Sequence, residues 1–256
     1  MNRKFQNIAD RGAPFIIILC IIILWQSLSM TGFIPKFMLP SPVSVLKAFV
    51  NDFPLLMHHA RFTLIEAFLG LVIGIITGFI MAIIMDRFEL AYKAIYPVLV
   101  ITQTVPTVAI APLLVLWLGY GMLPKITLIV VTSFFPITVG LLDGFRSADR
   151  DALNLLKTMG ATPLQNFIHV KLPSATGYFF AGLRISVSYS VIGAVVAEWL
   201  GGFDGLGVYM TRVRKSYSFD KMFAVIFFIS AISLVLMYLV KKIQEISMPW
   251  EKEKRS

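Results

Sequence analysis

The chain alternates long apolar runs with short polar interruptions. From Gly12 to Pro35 no charged residue occurs, a run long enough for a first membrane span. Phe62–Met85, a stretch within Ala94–Pro124, Ile126–Leu142, Pro173–Leu200 and Met222–Val240 give five further candidate spans. The small-residue stretch Ser27-Leu28-Ser29 would suit a cleavable leader. The membranous character of everything after it favours a retained span. Between the first two spans, Thr31–Arg61 carries Pro35, Pro40 and Pro42, then an amphipathic stretch near Val43–Phe49. That pattern predicts a short interfacial helix followed by a loop holding His58 and His59.

Within the spans, three patterns stand out. Gly70, Gly74 and Gly78 recur at four-residue steps on one helix face, where small residues let a second helix approach closely. In the third span, Gln103 and Thr104 precede Pro106, which removes a backbone donor and breaks the helix at a polar point. Irregular backbone at membrane depth is tolerated beside a cavity or packed protein. In the fifth span Gly182, Ser186, Ser190, Gly193 and Ala197 share a face, fitting tight packing or a polar path, with Glu198 at the far end. Arg184 is the one charge expected near mid-membrane. Glu66, about one turn inside the second span, is expected to snorkel to the headgroups.

Composition agrees: mean hydropathy is +0.81 and 57% of the residues are apolar. The formal charge of +9 does not signal nucleic-acid binding, because its positive residues are dispersed in loops and termini. Such charges set orientation. With both termini on one side, fourteen Lys/Arg fall in segments on that side and eight on the other, Arg184 aside. The excess places both termini in the cytoplasm, although Arg212, Arg214 and Lys215 oppose it. The single Cys20 can form no internal disulfide, and the histidines are too scattered for a metal cluster. No cofactor is implied.

The stretch from Arg150 to Pro173 differs from everything around it. Leu153, Leu156 and Met159 recur at helical spacing, Gly160 interrupts, and Ala161-Thr162-Pro163 restart a second short helix. Glycine accepts the positive φ of a helix end, Thr162 is a suitable N-cap, and Pro163 fits the first helical position. Two short helices at an angle, presented to water, are the expectation; an ordinary amphipathic loop helix is the alternative. On the charge-derived topology this stretch is cytoplasmic.

Those residues resemble a cytoplasmic motif of bacterial ATP-binding-cassette importer permeases: Glu-Ala-Ala, three residues, Gly, nine residues, Ile-x-Leu-Pro. Here Gly160 is followed at that spacing by Val170-Lys171-Leu172-Pro173, while Asn154-Leu155-Leu156 replaces Glu-Ala-Ala. The nitrate, sulfonate and taurine branch is similar at Leu39-Pro40-Ser41-Pro42, Pro106–Gly121, Phe134-Phe135-Pro136, and Ala197-Glu198 with Gly205-Leu206-Gly207. Gln103-Thr104-Val105-Pro106 is more like permeases for thiamine-precursor pyrimidines or riboflavin.

The resemblance implies an all-α, type I importer permease of about six transmembrane helices. The whole of 1–256 would form one domain in the bacterial inner membrane, with both termini cytoplasmic. Two permease copies, expected as a homodimer, would enclose the path, two ATPase subunits would dock below, and an extracytoplasmic solute-binding protein would deliver cargo above. Residues 150–173 would be the coupling segment, with Gly160, Ala161, Thr162, Pro163, Leu164 and Gln165 against the ATPase. Gln103, Thr104, Ser186, Ser190 and Glu198 would line the path. The chain itself would be non-catalytic. An ion-gradient-driven secondary transporter is the alternative, but it needs mid-membrane ionisable groups beyond Arg184. An integral-membrane enzyme would need a polar catalytic cluster, and the sequence offers none.

Overall fold

In the computed structural model, residues 3–31, 35 and 38–249 are described. Among them the secondary structure is helical, with no strand. Helix α1, Arg3–Met30, covers part of the first expected run; its described apolar part, Phe15–Met30, is shorter than the helices that qualify as spans. The interfacial helix is α2, Pro42–Asn51, capped by the Ser41 side chain accepting from the Ser44 amide, with Pro42 in its first turn. Four helices are long and apolar enough to cross a membrane. They are α3 (Phe53–Arg87), α6 (Met122–Arg146), the continuous helical run Pro163–Glu198, and α11 (Phe219–Ser247). A fifth crossing is formed if α4 (Glu89–Thr104) and α5 (Thr107–Leu118) count as one span, bent by 101°. The bend falls at Val105-Pro106, where the sequence places the proline break.

Helix α3 corrects one expectation. It begins at Phe53, so His58 and His59 are helical rather than in a loop. Pro54 fits a helix start, and nothing from there to Arg87 forbids continuation. The run Pro163–Glu198 is also longer than its apolar core. It consists of α8 (Pro163–Asn166), a π-helical turn (Phe167–Lys171) and α9 (Leu172–Glu198). The remaining helices are α7 (Arg150–Thr158) and α10 (Leu206–Lys215).

By packing, the chain divides into two compact units. The smaller comprises Met1–Met57 and Tyr209–Phe228. Its core sets Val45 and Ala48 of α2 against Ala224, with Trp25 and Phe223 at the margin. Trp25 Nε1 donates to the Pro40 carbonyl at 3.0 Å. Asp52 joins the pieces, ion-paired to Lys221 at 2.8 Å and accepting from the Tyr209 hydroxyl at 2.6 Å. Burial opposes ionisation of Asp52, but the Lys221 and Tyr209 hydrogen bonds outweigh it and hold the carboxyl below its usual value. Burial, reinforced by the neighbouring Asp52 carboxylate, raises the Tyr209 phenol well above its ordinary range.

The larger unit, His58–Val208 and Ile229–Ser256, is organised on α6 and α9. Ile137, Leu141 and Phe145 of α6 meet Ala175, Leu183 and Val187 of α9 in one buried cluster with Ala82 of α3. The α3 glycines lie against α6. A Cβ on Gly70 would overlap the Ile129 side chain, one on Gly74 would meet Ser133 Oγ, and one on Gly78 would lie 3.0 Å from Ile137 Cγ2. Ile129, Ser133 and Ile137 are themselves spaced by four, so three rungs of one helix fit three gaps in the other. In lipid, where hydrophobic burial gives helices little reason to associate, such close backbone packing supplies the contact energy.

Candidate functional site

The Arg150–Pro173 stretch has the bent form its sequence suggests. Asp149 caps α7 by accepting from the Asp151 amide at 2.9 Å. Gly160 ends that helix with φ +80, which a side-chain-bearing residue adopts only with strain. The Ala161 amide returns to the Leu156 carbonyl at 2.9 Å, closing the turn. Thr162 then starts α8 with a reciprocal capping box: Gln165 Oε1 accepts from the Thr162 amide at 2.7 Å, and Thr162 Oγ1 accepts from the Gln165 amide at 3.3 Å. These caps satisfy helix-end amides that would otherwise bond to water. The turn is thus a capped knuckle, and Leu155, Met159 and Leu164 are exposed on it by 62%, 73% and 66%.

Two features of the knuckle escape sequence reasoning. The first is the π-helical turn, which inserts one extra residue before α9. The second is Lys171 in that turn, which bonds both oxygens of Asp86 at the end of α3, at 2.7 and 2.8 Å. The pair is half-buried and ties the knuckle to a span far away in sequence. Nearby, the Arg146 guanidinium sits 3.8 Å from the centre of the Tyr92 ring, joining the ends of α6 and α4.

At the opposite end of α3 lies a second polar cluster. Lys125 Nζ of α6 meets Glu66 Oε1 at 2.7 Å, with both residues buried. Glu66 therefore does not snorkel; a cation from α6 meets it inside the protein. Glu198 is 2% exposed. It accepts from Thr63 Oγ1 at 2.7 Å and from the Gly207 amide at 2.6 Å. The Leu206 amide donates to Thr63, and the Gly205 amide to His59 Nδ1 at 3.1 Å. His58 Nε2 lies 3.2 Å from Asp204. Gly205 and Gly207 have no side chains because a Cβ on either would strike Glu198 or the Val195 carbonyl. This brace was invisible in the sequence, because His59 and Gly205 meet only after the chain has folded back on itself.

The five path candidates occupy three separate places. Ser186 and Ser190 are buried on the α9 face that packs on α6, Ser186 Oγ donating to the Ser133 carbonyl. Ser190 Oγ bonds the Val187 carbonyl at 2.8 Å. Glu198 belongs to the brace. Gln103 and Thr104 are exposed at the α4–α5 bend, with Thr104 Oγ1 bonded to the Ile101 carbonyl at 2.8 Å. Arg184, half-buried in mid-span, has no ion-pair partner among the described residues.

Among the described residues, then, the chain has four helices fit to cross a membrane, one sharply bent helix pair and a capped knuckle. A family model described as binding-protein-dependent transport system inner membrane component matches residues 70–247, and the chain belongs to that family. It is 39% identical over 225 residues to a probable ABC transporter permease protein of Haemophilus influenzae, covering 88% of this chain and 92% of that one. It is 36% identical over 255 residues to the formylaminopyrimidine transport permease protein ThiX of Halalkalibacterium halodurans, covering 99% and 100%. A crystal structure of an amino acid ABC transporter is similar in fold, with a TM-score of 0.62 at 16% identity over 77% of this chain and 94% of that one. The protein is therefore an ABC importer permease of the inner membrane, of the all-α type I class. Its family works with ATPase and solute-binding partners.

Proposed function

We propose that this chain forms the translocation path of an importer for a thiamine-precursor pyrimidine, with riboflavin-type cargo next. The observation that carries this reading is the match to the formylaminopyrimidine permease, 36% identical over 255 residues. Two copies associate as a homodimer, two ATPase subunits seat the knuckle, and a binding protein delivers cargo to the opposite face. Both termini are cytoplasmic. The burial of Lys125 against Glu66 supports that orientation, because it removes one cation from the loops on the other side. Gly160, Ala161, Thr162, Pro163, Leu164 and Gln165 form the contact with the ATPase, and Gln103 and Thr104 line the path at the bend. Ser186, Ser190 and Glu198 join that path only in a state in which α6 and α9 part. The chain is non-catalytic, and the ATPase supplies the energy.

The test is uptake of labelled formylaminopyrimidine into proteoliposomes holding the chain, its ATPase and its binding protein. ATP-dependent accumulation is expected, and uptake without the ATPase would overturn the reading. One observation favours a second cargo class. Arg184 is a mid-span charge without an acidic partner among the described residues, which suits a sulfonate- or taurine-like anion. Under that reading Arg184→Gln abolishes sulfonate uptake; under the first, pyrimidine uptake survives the same change.

A further inference from the structure

A groove of about 920 Å³ runs between the end of α3 and the knuckle. Ile83, Leu153, Leu164 and Phe167 give it apolar walls. Its polar lining holds Arg87, Lys157 and Lys171 against a single carboxylate, Asp86. Asp86 is already engaged by Lys171 at 2.7 Å. Arg87 and Lys157 are exposed and have no ion-pair partner among the described residues. Asn166 lines the same groove at 9% exposure, and its Oδ1 has no hydrogen-bond partner. A buried primary amide with unused hydrogen-bonding capacity is costly unless something in the groove completes it. By turning over, the amide offers either a donor or an acceptor.

Three properties therefore coincide where a membrane span ends: apolar walls, two uncompensated cations and an unfilled amide. A free inorganic anion would use the cations but waste the walls. A zwitterionic lipid would fill the walls but bring its own ammonium against Arg87 and Lys157. We propose that the groove binds an anionic phospholipid of the phosphatidylglycerol type. The phosphodiester lies between Arg87 and Lys157, the glycerol hydroxyls reach Asn166, and the first acyl methylenes lie along Ile83 and Phe167. Basic pockets at the ends of membrane helices attract anionic headgroups in this way. The groove shares Ala161, Thr162, Pro163 and Leu164 with the proposed ATPase contact, so a bound lipid would bear on coupling; the site itself rests on the groove and on the membrane setting.

The test is native mass spectrometry of the purified full-length chain in mild detergent. Phosphatidylglycerol, phosphatidylethanolamine and the water-soluble headgroup glycerophosphoglycerol are titrated separately. One phosphatidylglycerol per chain is expected to survive at concentrations where phosphatidylethanolamine dissociates. At about a factor of five per surface cation, Arg87→Gln with Lys157→Gln should weaken retention about thirtyfold. Both side chains are exposed, so the variant should fold, which an unchanged melting temperature would verify. Asn166→Leu should also weaken retention while leaving both cations in place. Equal retention of the two lipids, or undiminished binding by the double variant, would overturn the assignment. So would equal binding of the soluble headgroup, which would mark a site for free anions. If the isolated chain held no lipid and the docked ATPase buried Arg87 and Lys157, the groove would belong to that partner. A coupling defect in transport would not alter any of these readouts.

Discussion

Lys125 is the one cation bonded to a carboxylate in the buried cluster at the Glu66 end of α3, among the described residues. It is the cation that meets Glu66, and Glu198 stands in the same buried cluster. Removing one member of a buried pair costs about 3–5 kcal/mol, because the survivor keeps its desolvation penalty without its partner. Lys125→Met should therefore lower the melting temperature in detergent sharply. The double change Lys125→Met with Glu66→Met should recover most of the loss, since two apolar side chains of similar length replace the pair. If the double variant were as unstable as the single one, the pair would not be the source of the effect. Gly160 behaves differently. No atom lies within 4 Å of a Cβ built there, so its constraint is the positive φ alone. A β-branched side chain at that φ costs about 1–2 kcal/mol locally. Gly160→Val should insert normally, yet its ATPase partner should hydrolyse ATP without proportionate uptake, measured together in proteoliposomes. Unchanged uptake would count against the coupling role.

Between α3 and α6, fit is decided by the side-chain atom that each glycine faces. At Gly74 that atom is Ser133 Oγ, while Ser133 Cβ is already at an ordinary 3.6 Å. Gly74→Ala should thus destabilise by about 1–3 kcal/mol, as overpacking does. Adding Ser133→Ala should relieve most of it. The Oγ bonds only to the Ile129 carbonyl within its own helix, so little else is lost. A melting-temperature cycle over the four proteins measures the coupling directly. The glycine periodicity was legible because a span repeats its face every three to four residues. The Pro106 break and the Gly160–Pro163 turn were legible because their residues dictate backbone angles locally. The partner of each element was not. Nothing near Lys171 in sequence announces Asp86, and the α9 serines read equally as a packing face or a polar path until Ser186 is seen against the Ser133 carbonyl of α6. Local chemistry fixes where a helix bends, whereas long-range pairing decides what it touches.

For the whole molecule, the exposed leucines and methionine of the knuckle are what a partner would cover. A residue that fills a pocket at the centre of an interface typically contributes 2 kcal/mol or more, roughly thirtyfold in affinity. Leu164→Asp should accordingly reduce ATPase retention in mild-detergent co-purification while leaving the amount of permease in the membrane unchanged. Equal retention would show that Leu164 lies outside the contact.

The π-helical turn has a mechanical consequence of its own. It stores a one-residue insertion between α8 and α9. Absorbing that residue into regular α-helix would screw everything on one side of it by about 100° and shift it by about 1.5 Å. Lys171, within that turn, is bonded to Asp86 at the end of α3, so such a change would have to break or carry this ion pair. Under the proposed ATPase contact, a stroke delivered to the knuckle would then reach α9 as torque as well as push, with its pitch set by the helix itself.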